Sequence, residues 1–380
     1  MRMQLRQINL QTHFGGGEVY TAFLSRALDQ LGVCTVLYAH PDASFWNNLD
    51  LPASTRIECV ADIPALLKVL PHTPTWLLSH GPLPQELVAA RDPRWLLTAM
   101  AHMPPQGRNP RSFDGHDMVV PVSEWVRSGL LATDASVWRE PLYGVSALDP
   151  QRSTATAQIL RTSRYDWDRR KSRDRILGWL EPLAQPFLPA FPFAKRSGLT
   201  LGIVSRVTPI KQFPLLLSYL APVLARFPTV NLEIFGSGGY ASIRDLDRAL
   251  APIAGQVRFW GHQREVRAVY AQLDYLLTGL PEKEALGLNV IEAQACDLPV
   301  LAVNAPPFTE TVSDGVSGFF YRDPREDAGE DFAQLLERLL TLDTPLHPAQ
   351  AHAHLERFSF EAFAERLRPI VAWAEERLAA

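Results

Sequence analysis

The stretch LTLGIVSRVTPIKQFPLLLSYLAPVLARFPTVNLEIFGSGG, residues 199–239, places one helical pattern between two apolar strand-like runs. LTLGIVS and NLEIF are short and rich in branched apolar residues, as is typical of buried parallel strands. The segment between them predicts a helix over Phe213–Phe227. Because a parallel strand pair needs a crossover, this order predicts a doubly wound α/β unit. The alternation continues with a helix from about Ile243, the strand VRFW, a short helix near Val266, DYLLTG, a helix over Gly287–Cys296 and the strand PVLAV.

The N-terminal half shows the same alternation. A helix is predicted over Glu18–Leu31, where apolar residues recur every three to four positions, and Gly32 ends it. The strand-like runs around this helix are MQLRQINL, CTVLY, TWLLSH, WLLTAMAH and MVVPVS. The sequence therefore predicts two Rossmann-like doubly wound domains that face each other across a cleft.

The pattern is lost between Gly144 and Gly198, where RTSRYDWDRRKSRDR is rich in arginine and four prolines follow. Such a composition is typical of a connection between domains. We therefore predict a first domain over residues 1–185, to which a last helix at 358–380 crosses back, and a second domain over 196–357.

Composition excludes several classes of protein. The 380 residues carry a formal net charge of −4 without a basic tail, which argues against a nucleic-acid partner. No apolar run approaches the roughly 20 residues of a membrane span, and the start is too polar for a signal peptide, so we predict a cytoplasmic protein. Three dispersed cysteines indicate reduced thiols. The D-x-D triplets at 166–168 and 245–247 are isolated, so no metal is predicted.

Two carboxylates stand eight residues apart in the stretch PEKEALGLNVIEAQA, residues 281–295. A helix that begins near Gly287 would offer free backbone N–H groups and a favourable dipole to an anion. Glu284 would lie on the loop before that helix, and Glu292 about one and a half turns inside it. Carboxylates on both sides of a phosphate site suit a nucleotide sugar, since each accepts hydrogen bonds from hydroxyls.

Two cations follow the strand LTLGIVS. Arg206 comes directly after it and Lys211 five residues later, before the next helix. Cations at the carboxyl end of a parallel strand can neutralise a diphosphate, with arginine as a planar fork and lysine as a point charge. In isolation these two residues would more often be solvated loop cations, and the pair of glutamates makes the anion site the better interpretation.

Together these motifs resemble the retaining glycosyltransferases of family 4, which have the GT-B architecture. VSRVTPIKQFPLLL is similar to the family's strand, arginine, four residues and lysine; NLEIFGSGG is similar to its next strand and glycine turn; and Glu284 to Glu292 fits its E-x7-E signature. In the N-terminal half, FGGGEVYTAFLSRALDQLG, AHMPP, PVSEWV and PLYGVS also resemble family segments. The resemblance implies an acceptor-side first domain and a nucleotide-sugar donor domain.

The resemblance also implies roles for individual residues. Arg206 and Lys211 would stabilise the leaving nucleoside diphosphate, Glu284 would hold hydroxyls of the transferred sugar, and His102 would lie near its anomeric carbon. The donor-binding set is Gly16 and Gly17, which would lie on the N-terminal glycine loop, together with Gly236, His262, Gly287, Leu288, Asn289 and, for the ribose, Glu292. No general base is assigned, because such enzymes are thought to use same-face attack assisted by the leaving phosphate, unlike glycoside hydrolases.

Several departures from the family pattern leave the donor and its fit open. Ala285-Leu286 replaces the usual Gly-Phe, Asp297 replaces a small residue, and NAPPFTE stands where glycines usually precede Glu310. Alternatives are a nucleotide-sugar epimerase on the same scaffold and a catalytically inactive nucleotide-sugar-binding protein. The glycines of FGSGGYA also fit a dinucleotide fingerprint, but the next strand ends without the acidic residue that a dehydrogenase needs.

The expected partners are a nucleoside-diphosphate-sugar and a glycan or glycolipid acceptor, without a cofactor or metal. His80, Arg108 and Arg111 are unranked candidates for acceptor binding, and His13 is a weaker candidate for the donor site. The linker arginines leave open a peripheral association with anionic lipids at the inner face of the membrane.

Overall fold

The computed structural model describes residues 3–145, 157–167, 172–184 and 192–379. The chain divides into two compact units, one formed by Met1–Ala147 with Glu356–Ala380 and the other by Leu148–Leu355. This division differs from the sequence prediction, which assigned residues up to 185 to the first domain. Several predicted linker features, including Asp168, Pro186 and Pro189, lie outside the described residues.

The first unit contains a parallel sheet of six strands in the order β3-β2-β1-β4-β5-β6. Its strands are β1 Gln4–Asn9, β2 Cys34–Ala39, β3 Arg56–Cys59, β4 Thr75–Ser79, β5 Trp95–Ala101 and β6 Met118–Pro121. Its helices are α1 Gly16–Gln30, α2 Ile63–Val69, α3 Gln85–Ala89, α4 Glu124–Leu130 and, from the C-terminus, α14 Phe360–Ala379. The strand order reverses between β1 and β4, and ligands of open α/β sheets bind beyond the carboxyl ends of the strands at such a point.

Helix α1 shows how the sequence determines these elements. Its apolar stripe is buried, and Phe363 of α14 packs edge-on against Tyr20 and Phe23 at ring-centroid distances of 5.6 Å and 5.0 Å. Gly32 ends the helix with φ +80°, where its N–H donates to the carbonyl of Asp29. The C-terminal helix is therefore part of the core of the first unit.

The second unit contains another parallel sheet of six strands, in the order β12-β11-β10-β7-β8-β9. Its strands are β7 Leu199–Val204, β8 Val230–Phe235, β9 Val257–Gly261, β10 Tyr275–Leu277, β11 Val300–Val303 and β12 Gly318–Tyr321. Its helices are α5 Ser172–Ala184, α6 Phe213–Leu224, α7 Tyr240–Leu250, α8 Val266–Tyr270, α9 Leu288–Ala295, α10 Phe308–Thr311, α11 Pro324–Asp327, α12 Glu330–Leu340 and α13 His352–Glu356. Here the strand order reverses between β7 and β10.

Residues 157–167 belong to the second unit because their backbone pairs with it. Thr162 N–H donates to the carbonyl of Trp260 and Asp166 N–H to that of Gly238, at 2.9 Å and 2.8 Å. Gly261, with φ +69°, allows the close approach, since a Cβ there would lie 2.3 Å from the carbonyl oxygen of Ser163. The sequence does not reveal this pairing, because an irregular segment shows no apolar period.

Candidate functional site

The loop after β7 carries the two predicted cations and is fixed to the end of β8. Ser205 N–H donates to the carbonyl of Phe235 at 3.0 Å, and Val207 N–H to that of Ser237 at 2.9 Å. Gly236 has φ +140°, and a Cβ there would lie 2.0 Å from the carbonyl oxygen of Ser205. The close approach of these two strand ends therefore requires the glycine.

Lys211 and Glu284 form an ion pair between the loops that follow β7 and β10. Their side chains are only 24% and 15% exposed. Because β7 and β10 are neighbours at the reversal of strand order, residues that are 73 positions apart in sequence meet at the carboxyl edge of the sheet. This is the position where doubly wound folds bind ligands.

Helix α9 begins at the same edge of the sheet. Gly287 precedes it with φ +84°, and the Asn289 side chain donates to the carbonyl of Val204 at 3.2 Å, which attaches the first turn of α9 to the end of β7. No side chain among the described residues caps this helix start. The backbone N–H groups of Leu288 and Asn289 precede the helical hydrogen-bond pattern, so they are available to an anion.

Glu292 lies one turn further along α9, where Tyr270 constrains it. The Tyr270 hydroxyl is 3.3 Å from Glu292 Oε2 and 3.4 Å from the carbonyl of Asn289. Burial first, and then the Glu292 carboxylate, raise the pKa of Tyr270 well above its usual value, so the phenol remains a hydrogen-bond donor.

Arg206 contacts the segment from the predicted linker. Its Nη2 donates to Asp166 Oδ2 at 3.1 Å, and the two side chains are 43% and 50% exposed. Since an exposed ion pair is weak, an incoming anion can compete with Asp166 for this guanidinium. In the sequence, Asp166 stands out only as part of a D-x-D triplet, so this contact was not predicted.

His262 is exposed, and its backbone carbonyl accepts a hydrogen bond from the Thr162 hydroxyl at 2.9 Å. Within the described part of the chain, the His262 side chain makes no hydrogen bond or ion pair with Lys211 or Glu284. The structure thus brings together the loops of Arg206, Lys211, Glu284 and Asn289, while His262 lies beside the segment 157–167.

The remaining predicted site residues lie in the first unit. Gly16 and Gly17 are the first residues of α1, whereas the sequence predicted them in the preceding loop. A Cβ at Gly17 would meet no described atom within 4 Å, so packing inside the chain does not require this glycine.

His102 directly follows β5 and contacts a second histidine, His80, which directly follows β4. The distance between His80 Nδ1 and His102 Nε2 is 3.0 Å. Burial lowers the pKa of His102 to about 4. Burial, and then the nearby charge of His102, hold the pKa of His80 well below its usual value, so both rings are neutral at pH 7. Sequence reasoning left His80 unranked, although its place after a neighbouring strand was a usable signal.

Both histidines line a cavity of about 630 Å³ at the carboxyl edge of the first sheet. Asn9, Met103 and Arg108 also line it, and none of the described lining residues is a carboxylate. Arg111 does not line it and instead pairs with Asp114 at 2.7 Å. Of the three acceptor candidates, His80 and Arg108 therefore share one cavity.

Within the described part of the chain, no group of three or more His, Cys, Asp or Glu side chains is arranged to hold a metal ion. Of the D-x-D carboxylates, Asp245 pairs with Arg244 at 2.8 Å and Asp247 with Arg164 at 2.9 Å.

The departure from the family pattern at Asp297 has a structural explanation. Its backbone has φ +62°, and its carboxylate accepts from the backbone N–H of Ala349 at 3.0 Å.

Residues 198–342, which lie within the second unit, match the family model of Glycosyl transferases group 1. A D-inositol 3-phosphate glycosyltransferase of Rhodococcus erythropolis is 32% identical over 248 residues, which cover 62% of this chain and 51% of that protein. A GDP-mannose-dependent monoacylated alpha-(1-6)-phosphatidylinositol monomannoside mannosyltransferase of Corynebacterium glutamicum is 31% identical over 209 residues, or 49% of this chain and 52% of that protein. The matches thus span about half the length of these relatives.

Solved structures resemble the chain over nearly its whole length. Anabaena Alr3699/HepE, in complex with UDP and glucose, has a TM-score of 0.70 at 16% identity, covering 97% of this chain and 99% of that one. A glycosyltransferase from Rickettsia africae has a TM-score of 0.67 at 17% identity, covering 99% of both chains. With its two parallel six-stranded sheets, the chain has the α/β fold of the GT-B glycosyltransferases.

Proposed function

We propose that the chain is a retaining glycosyltransferase of family 4 that moves a sugar from a nucleoside-diphosphate-sugar to a hydroxyl acceptor in the synthesis of a surface polysaccharide or glycolipid. The observation that carries this proposal is the meeting of Lys211, Glu284 and the start of α9 at the reversal of strand order in the second sheet. This edge combines a cation, a carboxylate that can accept hydrogen bonds from hydroxyls, and the backbone N–H groups of a helix start, which are the groups that a nucleotide sugar needs.

In the proposed reaction, the bond between the anomeric carbon and the β-phosphate oxygen breaks, and the acceptor oxygen bonds to the same face of that carbon. The proton of the acceptor hydroxyl passes to the departing phosphate oxygen. Negative charge increases on the diphosphate as it leaves, so Lys211, Arg206 and the N–H groups of α9 would stabilise the transition state more than the ground state. Glu284 would orient the sugar, and Glu292 the ribose.

The similar proteins support a nucleotide-sugar donor. One relative is GDP-mannose-dependent, and the structural neighbour HepE was solved with UDP and glucose. Both relatives act on inositol-containing acceptors according to their names, which supports a hydroxyl acceptor. The departures at Ala285 and Leu286 lie beside Glu284 and are both buried, so they would affect the fit of the sugar.

The test incubates the full chain with a panel of UDP-, GDP- and ADP-sugars, with and without acceptor extracts, and measures release of nucleoside diphosphate. The proposal expects release that depends on acceptor, and a product whose anomeric configuration, read by NMR, is that of the donor. Conversion of the donor without acceptor would indicate an epimerase instead. Tight binding of nucleoside diphosphate without turnover would indicate an inactive binding protein.

The proposal includes peripheral association with the inner face of a membrane. No helix in the described ranges is long and apolar enough to cross a bilayer. On α5, however, Ile176, Trp179 and Leu180 are 57%, 70% and 43% exposed, at a helical spacing that places them on one face. Exposed tryptophan and leucine on one helical face favour the interfacial region of a membrane. Sedimentation with phosphatidylglycerol vesicles tests this, and Trp179→Ser should reduce the bound fraction.

A further inference from the structure

A chain of buried polar groups in the first unit runs from Ser25 through Gln7 to His80. Gln7 Nε2 donates to Ser25 Oγ at 2.8 Å, and Ser25 Oγ donates to the carbonyl of Thr21 at 2.8 Å. Because the hydroxyl hydrogen of Ser25 is engaged there, its oxygen accepts from the Gln7 amide nitrogen. The amide oxygen of Gln7 therefore faces His80 Nε2, at 2.8 Å.

The Thr21 hydroxyl imposes the same direction. It donates to the carbonyl of Gly17 at 2.8 Å, and its oxygen lies 3.2 Å from His80 Nε2. Both neighbours of Nε2 thus present oxygen lone pairs, so this nitrogen carries a proton. If the Gln7 amide were reversed, its N–H would donate to the one lone pair of an unprotonated Nε2. The Thr21 hydroxyl would then be either a second donor to the same lone pair or an oxygen lone pair that faces it, and neither contact is favourable.

The proton on His80 Nε2 determines the state of His102. Since the pKa of His80 is lowered by burial, the ring is neutral and its Nδ1 has no proton. That atom is 3.0 Å from His102 Nε2, and the ring planes are within 10° of parallel with centroids 5.3 Å apart. The two rings therefore meet edge to edge, and His102 Nε2 donates the hydrogen bond. A neutral His102 with a proton on Nε2 has an unprotonated Nδ1.

His102 Nδ1 is the polar ring atom left to meet a ligand. It has no hydrogen-bond partner among the described residues. Since it is also absent from their fully buried atoms without a partner, it is accessible, and we place it facing the cavity that His102 lines. We propose that His80 is a positioning residue that holds His102 as the Nε2–H tautomer, so that Nδ1 accepts a hydrogen bond from a hydroxyl of the bound substrate. The substrate half of this proposal rests on the proposed function. A phosphate oxygen without a proton could not make this contact, because it only accepts.

The tautomers can be measured without any substrate. Long-range ¹H–¹⁵N correlation spectra of the ¹⁵N-histidine-labelled full chain at pH 7 distinguish protonated from unprotonated ring nitrogens. The signals are assigned with His80→Asn and His102→Gln. We expect both rings to carry the proton on Nε2. An imidazolium, or a proton on Nδ1 of His102, would overturn the proposal.

Variants of His80 separate positioning from a structural role. Asparagine can present an amide oxygen near the place of Nδ1, so His80→Asn should keep the Nε2–H signal of His102, whereas His80→Leu should give a mixture of tautomers. The proposal expects kcat/KM for sugar transfer to fall about tenfold in His80→Leu. In His80→Asn, kcat/KM should remain within about threefold of wild type. Equal kcat/KM losses in both, or an unchanged His102 spectrum in His80→Leu, would refute the positioning role.

The spectra remain decisive if His80→Leu does not fold, because wild type and His80→Asn report the tautomer directly. If the expected tautomers are found but no sugar is transferred from any donor, the proposed function fails while the His80–His102 assignment holds. If sugar is transferred but His102 carries its proton on Nδ1, the assignment fails alone.

Discussion

Replacing Lys211 by methionine tests the proposed donor site most directly. The change removes the cation and keeps an unbranched side chain of similar length. The loss of a charged hydrogen-bond partner costs about 1.5–3 kcal/mol, so affinity for the nucleoside diphosphate should fall roughly 10- to 150-fold. Glu284, only 15% exposed, is left without its partner, so the variant should also lose about 2 kcal/mol of unfolding free energy, between the values for exposed and buried pairs.

A second substitution separates these two effects. In the double variant Lys211→Met with Glu284→Gln, the unpaired carboxylate becomes neutral, so most of the lost stability should return. Affinity should not return, because the cation that contacts the phosphate is still absent. Lys195→Met is the matched control, since Lys195 pairs with Asp274 at 2.7 Å elsewhere in the same unit and is 39% exposed.

The assays are calorimetric titration with UDP, GDP and ADP, and urea unfolding of each variant. We expect the Lys195 control to bind the preferred nucleotide like wild type. Binding by Lys211→Met within twofold of wild type would refute the reasoning. Full recovery of affinity in the double variant would show that Lys211 acts only by neutralising Glu284, and not by contact with the phosphates.

Three further outcomes are expected. Glu233 is fully buried and accepts hydrogen bonds from Arg196 and Arg258, so Glu233→Gln should lower the unfolding free energy by about 3 kcal/mol in urea titrations. The pKa of His102 is about 4 in the fold and about 6.5 in an unfolded chain, so its contribution to stability is present above pH 6.5 and is lost as pH falls toward 4. The unfolding free energy of the wild type should therefore decline between pH 6.5 and 4.5, and His102→Gln should remove about 2 kcal/mol of that decline. Gly287→Ala forces a Cβ onto φ +84° and 3.1 Å from a neighbouring methyl group, so it should cost about 1–2 kcal/mol of stability and weaken nucleotide binding by calorimetry.

Each of these tests has a control. Glu330→Gln breaks an exposed ion pair with Arg226 and should cost less than about 1 kcal/mol, so an equal loss in Glu233→Gln would contradict its role as a buried anchor. For His102→Gln the reference is the wild-type chain, and an unchanged loss of unfolding free energy between pH 6.5 and 4.5 would contradict the burial argument. Gly239→Ala at φ −63° with open space around it should remain within about 0.5 kcal/mol of wild type, and a similar result for Gly287→Ala would refute the strain argument.

The sequence predicted elements best where they have a local period. The apolar spacing in α1 and the alternation around β7 and β8 predicted helices and strands within a few residues of the observed bounds, since backbone period and burial are encoded in neighbouring residues. The helix predicted over Phe213–Phe227 ends at Leu224, where tighter turn hydrogen bonds replace the helical ones. Element ends are less determined because the last turn makes fewer helical bonds.

Irregular segments were predicted least well. Nothing in the composition of residues 157–167 indicated that Asp166 would contact Arg206 or that this segment would pair with the second unit. Gly16 and Gly17 were expected in a loop and begin α1 instead, because glycine gives little local signal for a helix start without a capping side chain.

The sequence by itself determined the two α/β units and the residue types at the candidate donor site, because strand–helix alternation and the spacing of Arg206, Lys211, Glu284 and Glu292 are properties of short segments. Only the tertiary structure decided which of these residues meet. Lys211 reaches Glu284 because β7 and β10 are neighbours, and His102 has a defined tautomer because Gln7, Thr21 and His80 come together from β1, α1 and the end of β4. Such contacts depend on strand order and on the direction of buried hydrogen bonds, and neither property is encoded in a periodic pattern of the sequence.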